Sequence, residues 1–334
     1  MIDDSVSGVD KSRDEDDEPQ TDTISTDVDD GRYIYCLIDT NSHISELPSD
    51  GDIQTDGIDG ASPSIVNANG NVVDSTGRVG AVVHSCTHTY EAANLATVQR
   101  RILSHQRVVD AAGSIYDTPL PLRFNTVFEG GDEGVRTWIH DNYDQIDSAL
   151  TTLAGTWEYR IGLVWDASQF ESMVAETDEE LQRIENQQVT ATEGTAFLLN
   201  KQYKRRLATL RNERRKELIE ALQTCVEPLA VEMTEQGGRD IDVGGLSDRD
   251  IGEHDSDADT DALNQENTDN DDDDNNSDTD TDENGELIER VAVRVSADAE
   301  TALGDQLDEF VERDGVSVTF TGPWPPYTFA PNIG

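Results

Sequence analysis

The stretch that most constrains this chain lies between residues 240 and 289, where 21 acidic side chains stand against one base, Arg249. Such dense like charge, with few apolar residues, cannot bury enough surface to offset the entropy of ordering. It splits the sequence into a long ordered part before it and a short one after it. Residues 1–30 read the same way, with 12 acids and 2 bases. The two stretches carry -30 of the formal net charge of -47, so the rest, at -17, is acidic too. Only four of the 24 bases are lysines (Lys11, Lys201, Lys204, Lys216); the others are arginines. Arginine is weakly hydrated and pairs bidentately with carboxylates. A Lys-poor, carboxylate-rich surface suits molar salt, where a Debye length of roughly 3 Å screens self-repulsion. The plainer reading is an ordinary protein with two acidic segments. The acid excess outside those segments favours salt adaptation.

Several classes are set aside. The sequence has no run of about 18 apolar residues, so no transmembrane helix is expected. Residues 1–30 lack the apolar core of a secretory signal. Cys36, Cys86 and Cys225 are far apart and form no C-x-x-C pair, which predicts free thiols in a reducing cytoplasm. A negative field disfavours nucleic acid or an anionic membrane as partner.

Five segments follow: an acidic disordered tail (1–31), a mixed α+β domain (32–155), a first part of a second domain (156–236), an acidic disordered insertion (237–286) and the remainder of that domain (287–334). In the first domain residues 32–38 and 78–84 are apolar, β-rich runs that read as buried strands. Residues 40–63 read as a loop, and Asn69-Gly70 as a turn between two strands. Ala93, Val98, Ile102, Leu103, Val109 and Ala112 predict a helix stopped at Gly113. Residues 120–124 form a short extended piece, and residues 132–154 a second amphipathic helix. The second domain opens with a strand at 157–165. A capping box led by Thr177 then starts a long helical region reaching Val226. Leu199, Tyr203, Leu207, Leu210, Leu218, Ala221 and Cys225 step along it as a packing seam. After the insertion come a strand at 287–295, a helix at 298–313 and a strand at 316–320. The order predicts an α+β, ferredoxin-like second domain with a long helical excursion, and helices on one side of the sheet in both domains.

Few residues look chemical. His84, Cys86 and His88 alternate on a strand and would face one metal, but no fourth ligand is evident. The bland reading ends the strand near His84 and leaves the others solvated. His105 lies within a helix and reads as a capping or exposed residue. No nucleophile elbow, phosphate loop or H-E-x-x-H motif occurs, and Gly130-Gly131-Asp132 reads as a loop before a helix. Hence no catalytic residue, metal or cofactor is expected. Lys201, Lys204, Arg205, Arg206, Arg211, Arg214, Arg215 and Lys216 face a single acid between them, Glu213. They predict a positive stripe that pairs with an acidic partner or with the chain's own insertion; the bland reading is a solvated helix face. At the end, Pro323, Pro325 and Pro326 hold an extended strip that projects Trp324, Tyr327 and Phe329. Such a strip either seals the chain's own core or anchors a partner.

That strip, Phe320-Thr-Gly-Pro-Trp-Pro-Pro-Tyr-Thr-Phe-Ala330, closely resembles the C-terminal signature of the GvpF/GvpL family of gas vesicle proteins. Tyr33-Ile-Tyr35, Gly80-Ala-Val-Val-His84, Ser104-His-Gln-Arg-Val-Val109, Leu120-Pro-Leu-Arg-Phe124, Trp157-Glu-Tyr-Arg-Ile161 and Gly194-Thr-Ala-Phe-Leu-Leu199 are similar to further family blocks, in order. The resemblance spans about residues 32–235 and 287–330, and inclines toward a GvpL-like member from a halophilic archaeon. Asn125 departs from it, standing where a glycine is expected after the Arg-Phe pair. The resemblance implies a non-enzymatic cytoplasmic protein associated with gas vesicles, needed for their formation. It would contact the shell protein GvpA and other accessory Gvp proteins, through Trp324, Tyr327, Phe329, Arg205, Arg206, Arg211 and Arg215. The rival readings are a small-molecule-binding regulator and a metal-dependent enzyme on His84, Cys86 and His88.

Overall fold

The structure, a computed structural model, describes residues 26–42, 53–68, 78–91, 94–236 and 285–333. Residues 1–25 of the expected tail, residues 237–284 of the expected insertion and the turn at Asn69-Gly70 lie outside the described residues.

The first sheet contains β1 (Asp27–Asp39), β2 (Ser64–Asn67), β3 (Val79–His88), β4 (Leu120–Pro121) and β5 (Val127–Phe128). The order is β2-β3-β1-β4, with β5 also pairing β1, and every pairing is antiparallel. Strand β1 begins earlier than expected: Asp27 and Gly31 pair with His88 and Cys86 across a register shift, which draws the end of the acidic tail into the sheet. Strand β3 likewise runs past His84 to His88. Tyr33, Tyr35 and Val82 pack with Val108, Val109 and Ala112 of α1 (Leu95–Gly113). Ile34, Leu37, Ala81 and Val83 pack with α2 (Gly131–Asp141) and α3 (Tyr143–Leu153). Helices therefore cover both faces of this sheet, correcting the one-sided expectation. A strand buried on both sides reads as a continuous apolar run, as β1 does. The single helix expected at 132–154 breaks at Asn142, whose side-chain amide donates to the Trp138 carbonyl at 2.8 Å. Such a local bond competes with continuation of the backbone ladder.

The second sheet holds β6 (Thr156–Trp165), β7 (Ala230–Glu235), β8 (Glu286–Ser296) and β9 (Val316–Trp324), in the order β7-β8-β6-β9. Helices α4 (Ser168–Thr177), α5 (Glu179–Gln188) and α6 (Glu193–Val226) link β6 to β7, and α7 (Glu300–Phe310) links β8 to β9. Numbered within this half, the order is 2-3-1-4, the ferredoxin-like arrangement that the element sequence predicts. Here the helices do lie on one face. Tyr159, Ile161, Leu163 and Trp165 share a core with Leu218, Leu222, Leu303 and Phe310.

At 34 residues α6 is about 50 Å long. Its only buried residues are Leu218, Leu222 and Val226, near its end. Leu199, Tyr203, Leu207 and Leu210 are half-buried along its first half, where α6 packs on α5 and the buried Leu181 and Ile184. The cap of α5 is Asp178 rather than Thr177: its carboxylate accepts from the Leu181 N–H at 2.9 Å, while the Thr177 hydroxyl donates back to the Met173 carbonyl within α4. A carboxylate at this position also complements the helix dipole. Gly113 is the last residue of α1, with Ser114 as its cap, and a Cβ there would lie 2.7 Å from the Trp157 ring of β6, where the two halves touch.

Candidate interaction surfaces and the buried tyrosine–histidine cluster

The face of β1 toward α1 carries Tyr33 and Tyr35, and β3 carries His84 opposite them. The Tyr33 hydroxyl accepts from the Asn125 N–H at 3.1 Å and shares a 2.8 Å hydrogen bond with His105 Nδ1. His84 Nε2 shares a 2.7 Å hydrogen bond with the Tyr90 hydroxyl. The Tyr33 and His84 rings stack at 5.0 Å. Burial lowers the pKa of His84 to about 4, with a small opposing pull from Asp59. Burial lowers that of His105 to about 3, against a smaller opposing effect of the Leu122 backbone. Both imidazoles are neutral packing elements. His105 is thus neither a cap nor an exposed residue, as its sequence position suggested. It occupies the buried face of α1 with Ile102, Val108 and Val109.

The same geometry bears on the possible metal centre. Strand alternation does put His84, Cys86 and His88 on one side, since β3 continues through all three. His84 is engaged with Tyr90, however, and burial raises the Cys86 thiol pKa. Among the described residues no group of three or more His, Cys, Asp or Glu is placed to hold a metal. Asn125 resolves the missing glycine. Its φ of 68° is left-handed, a conformation Asn tolerates, and its Oδ1 accepts from the Tyr90 N–H at 2.7 Å. The turn survives with Asn in the glycine's place.

The C-terminal strip is a strap. Trp324 closes β9 opposite Glu158 of β6, and its Nε1–H donates to Thr321 Oγ1 at 3.4 Å. Pro325 and Pro326 are buried. Tyr327 then enters the first half, its ring 6.5 Å from His105 and its hydroxyl buried without a hydrogen-bond partner. Burial holds that phenol pKa well above its ordinary value. Thr328 donates through its N–H (2.8 Å) and hydroxyl (2.9 Å) to Glu158, a fully buried carboxylate that also pairs with Arg160 at 3.0 Å. Phe329, Ala330 and Ile333 pack on the α3 side of the first core. All three aromatic residues expected to contact a partner are half-buried; Tyr327 and Phe329 pack toward the first half, and Trp324 lies at the end of β9. Glu158 was missed by sequence reasoning. Its only signal was an acid two residues before an arginine within a largely apolar strand.

The basic helix divides in two. Arg206 pairs with Asp178 (2.7 Å) and Glu180 (3.6 Å); Arg211 pairs with Glu171 (3.3 Å) and Glu286 (2.8 Å). Arg215 pairs with Glu286 at 3.2 Å and donates to the Ile288 carbonyl, and Arg214 pairs with Glu217 at 3.1 Å. Glu286, assigned from sequence to the end of the insertion, is the first residue of β8. Glu286 is thus a residue of the sheet, and the expected pairing with residues 237–284 lies outside the described residues. Arg205, Lys201, Lys204 and Lys216 make no ion pair among the described residues. A cleft of about 570 Å³ opens between α3, β7, β8 and the strap. Its buried cation, Arg294, is already bonded to the Thr152 carbonyl, Thr156 Oγ1 and Glu232. No helix among the described residues is long and apolar enough to cross a membrane.

These features define a two-sheet α+β protein, ferredoxin-like in its second half, closed by a proline-aromatic strap. Its buried ionisable groups are largely absorbed by its own packing. The family model for gas vesicle synthesis protein GvpL/GvpF matches residues 31–331, and the chain belongs to that family. It is 38% identical over 330 residues to gas vesicle protein L of Haloferax mediterranei, covering 92% of this chain and 89% of that protein. It is 40% identical over 307 residues to gas vesicle protein L1 of Halobacterium salinarum, covering 92% of each. Among solved structures, the crystal structure of gas vesicle protein GvpF from Anabaena sp. PCC7120 matches with a TM-score of 0.54 at 16% identity, over 91% of this chain and 97% of that one. GvpF from Microcystis aeruginosa matches with a TM-score of 0.52 at 16% identity, over 90% of this chain and 99% of that one. At that identity the likeness concerns the mixed α+β fold.

Proposed function

We propose that this chain is an accessory or minor structural protein of gas vesicle formation, which binds the shell protein GvpA and other accessory Gvp proteins in the cytoplasm during assembly. The observation that carries the reading is the family match, which runs through both sheets and the strap. The mode of action is physical: exposed apolar and edge-strand surface holds aggregation-prone subunits in a productive state. Strands β7 and β9 are the edges of the second sheet, with Val231 56% and Phe320 39% exposed. An open edge offers backbone groups to an added strand. Of the arginines proposed for contact, Arg205 is the one without an ion pair among the described residues; Arg206, Arg211 and Arg215 serve the fold first. Trp324 remains a contact candidate, whereas Tyr327 and Phe329 act indirectly by holding the strap.

The test is capture at molar KCl by the tagged chain in a vesicle-forming haloarchaeon, together with deletion of its gene. Shell or accessory proteins in the captured material, and cells without normal vesicles under electron microscopy, are expected. Normal vesicles in the deletion strain, with no vesicle protein captured, would overturn the reading.

A further inference from the structure

The first half of α6 has two faces. Leu199, Tyr203, Arg206 and Leu210 form the side toward α5, as the Arg206 pairs with Asp178 and Glu180 show. At 100° per residue, Phe197, Leu198, Lys201, Lys204 and Arg205 fall on the opposite side. Phe197 is 67% and Leu198 59% exposed, and Lys201, Lys204 and Arg205 are exposed as well. Val189, 82% exposed, stands at the same end of the α5–α6 hairpin. Two adjacent large apolar side chains beside three cations thus face solvent on a projecting helix.

The cations are the less expected part. The chain holds 71 acids and 24 bases, and only four bases are lysines. Two of the four lie on this face. Neither they nor Arg205 meet an acid among the described residues, while Arg206, Arg211, Arg214 and Arg215 on the same helix all do. Pairing among the described residues therefore does not account for these three cations.

We propose that the outer face of α6, formed by Phe197, Leu198, Lys201, Lys204 and Arg205, is a docking surface for an acidic, amphipathic segment of another protein. It rests on the assembly reading above and deepens it by naming a surface and the chemistry of its partner. Charge complementarity selects the acidic partner. Salt requires the apolar pair: with a Debye length of roughly 3 Å at molar salt, cations act only in direct contact. Apolar burial persists at such salt and supplies the anchor.

The experiment uses the full chain in molar KCl and two fluorescent helical peptides, one built of Glu and Leu and its counterpart of Lys and Leu. Saturable anisotropy is expected with the Glu/Leu peptide alone. Binding should weaken by about tenfold or more in each of two variants, Phe197→Ser with Leu198→Ser, and Lys201→Glu with Lys204→Glu and Arg205→Glu. All five side chains are exposed, and unchanged thermal melting checks the fold. Equal binding of both peptides, Glu/Leu binding unmoved by either variant, or no binding by the full chain would each overturn the proposal. Binding that appears only after deletion of residues 237–284 would instead give the face to the chain's own acidic stretch, and also overturns it. A negative peptide result with vesicle-protein capture intact would remove this surface and leave the assembly reading standing.

Discussion

Acidification is expected to destabilise this protein through two buried imidazoles, and His105→Gln isolates one of them. The pKa of His84 is lowered in the folded chain to about 4, and that of His105 to about 3, from an ordinary 6.5. A lowered histidine pKa means that the unfolded chain takes up the proton first. The stability these groups confer is therefore complete above pH 6.5 and is lost as pH falls from there toward the folded values. At about pH 5 each unfolded histidine is protonated and each folded one is still neutral, so the loss is ~2 kcal/mol per histidine and ~4 kcal/mol for the pair. Asp110, whose pKa is raised to about 6 by burial, acts in the opposite sense. It is present in both proteins and cancels in their difference. Gln keeps a polar partner for the Tyr33 hydroxyl but does not titrate. Urea unfolding in molar KCl from about pH 7.5 to about pH 5 should show the variant losing ~2 kcal/mol less than the parent. Parallel pH curves would refute the assignment of His105 as a buried neutral residue.

Two further perturbations test the strap and the turn. Tyr327→Ala should cost about 2–3 kcal/mol by urea unfolding, because it removes a half-buried ring whose hydroxyl end is buried, whereas Tyr327→Phe should be neutral or stabilising because the hydroxyl has no partner. A partner-binding role for Tyr327 independent of folding would show the reverse pattern, with stability kept and capture lost. Asn125→Ala should destabilise by about 2 kcal/mol, combining left-handed strain with loss of the bond to the Tyr90 N–H. Asn125→Gly should recover the conformational share alone, and equal melting of the two variants would contradict that division.

Much of the architecture was legible in the sequence because it rests on local periodicity. The apolar runs at 32–38 and 78–84 fell on β1 and β3, and the order of elements in the second half gave the ferredoxin-like sheet. The seam of α6 was visible as steps of three and four. The proline-aromatic end and the blocks around it carried the family. Side-chain destinations were not legible, because they depend on contacts between residues far apart in the chain. His105 looks polar and exposed until Tyr33, 72 positions away, supplies its hydrogen bond in the core. Tyr327 looks like a projecting anchor until the strap crosses to the first half, held by Thr328 on a buried Glu158 170 positions earlier. The arginines of α6 form one stripe in sequence, yet Asp178, Glu171 and Glu286 claim part of it and leave Arg205 and the lysines outward. Periodicity along the chain fixes which face an element buries. Only the packed structure decides which polar groups that burial neutralises and which remain available to another molecule.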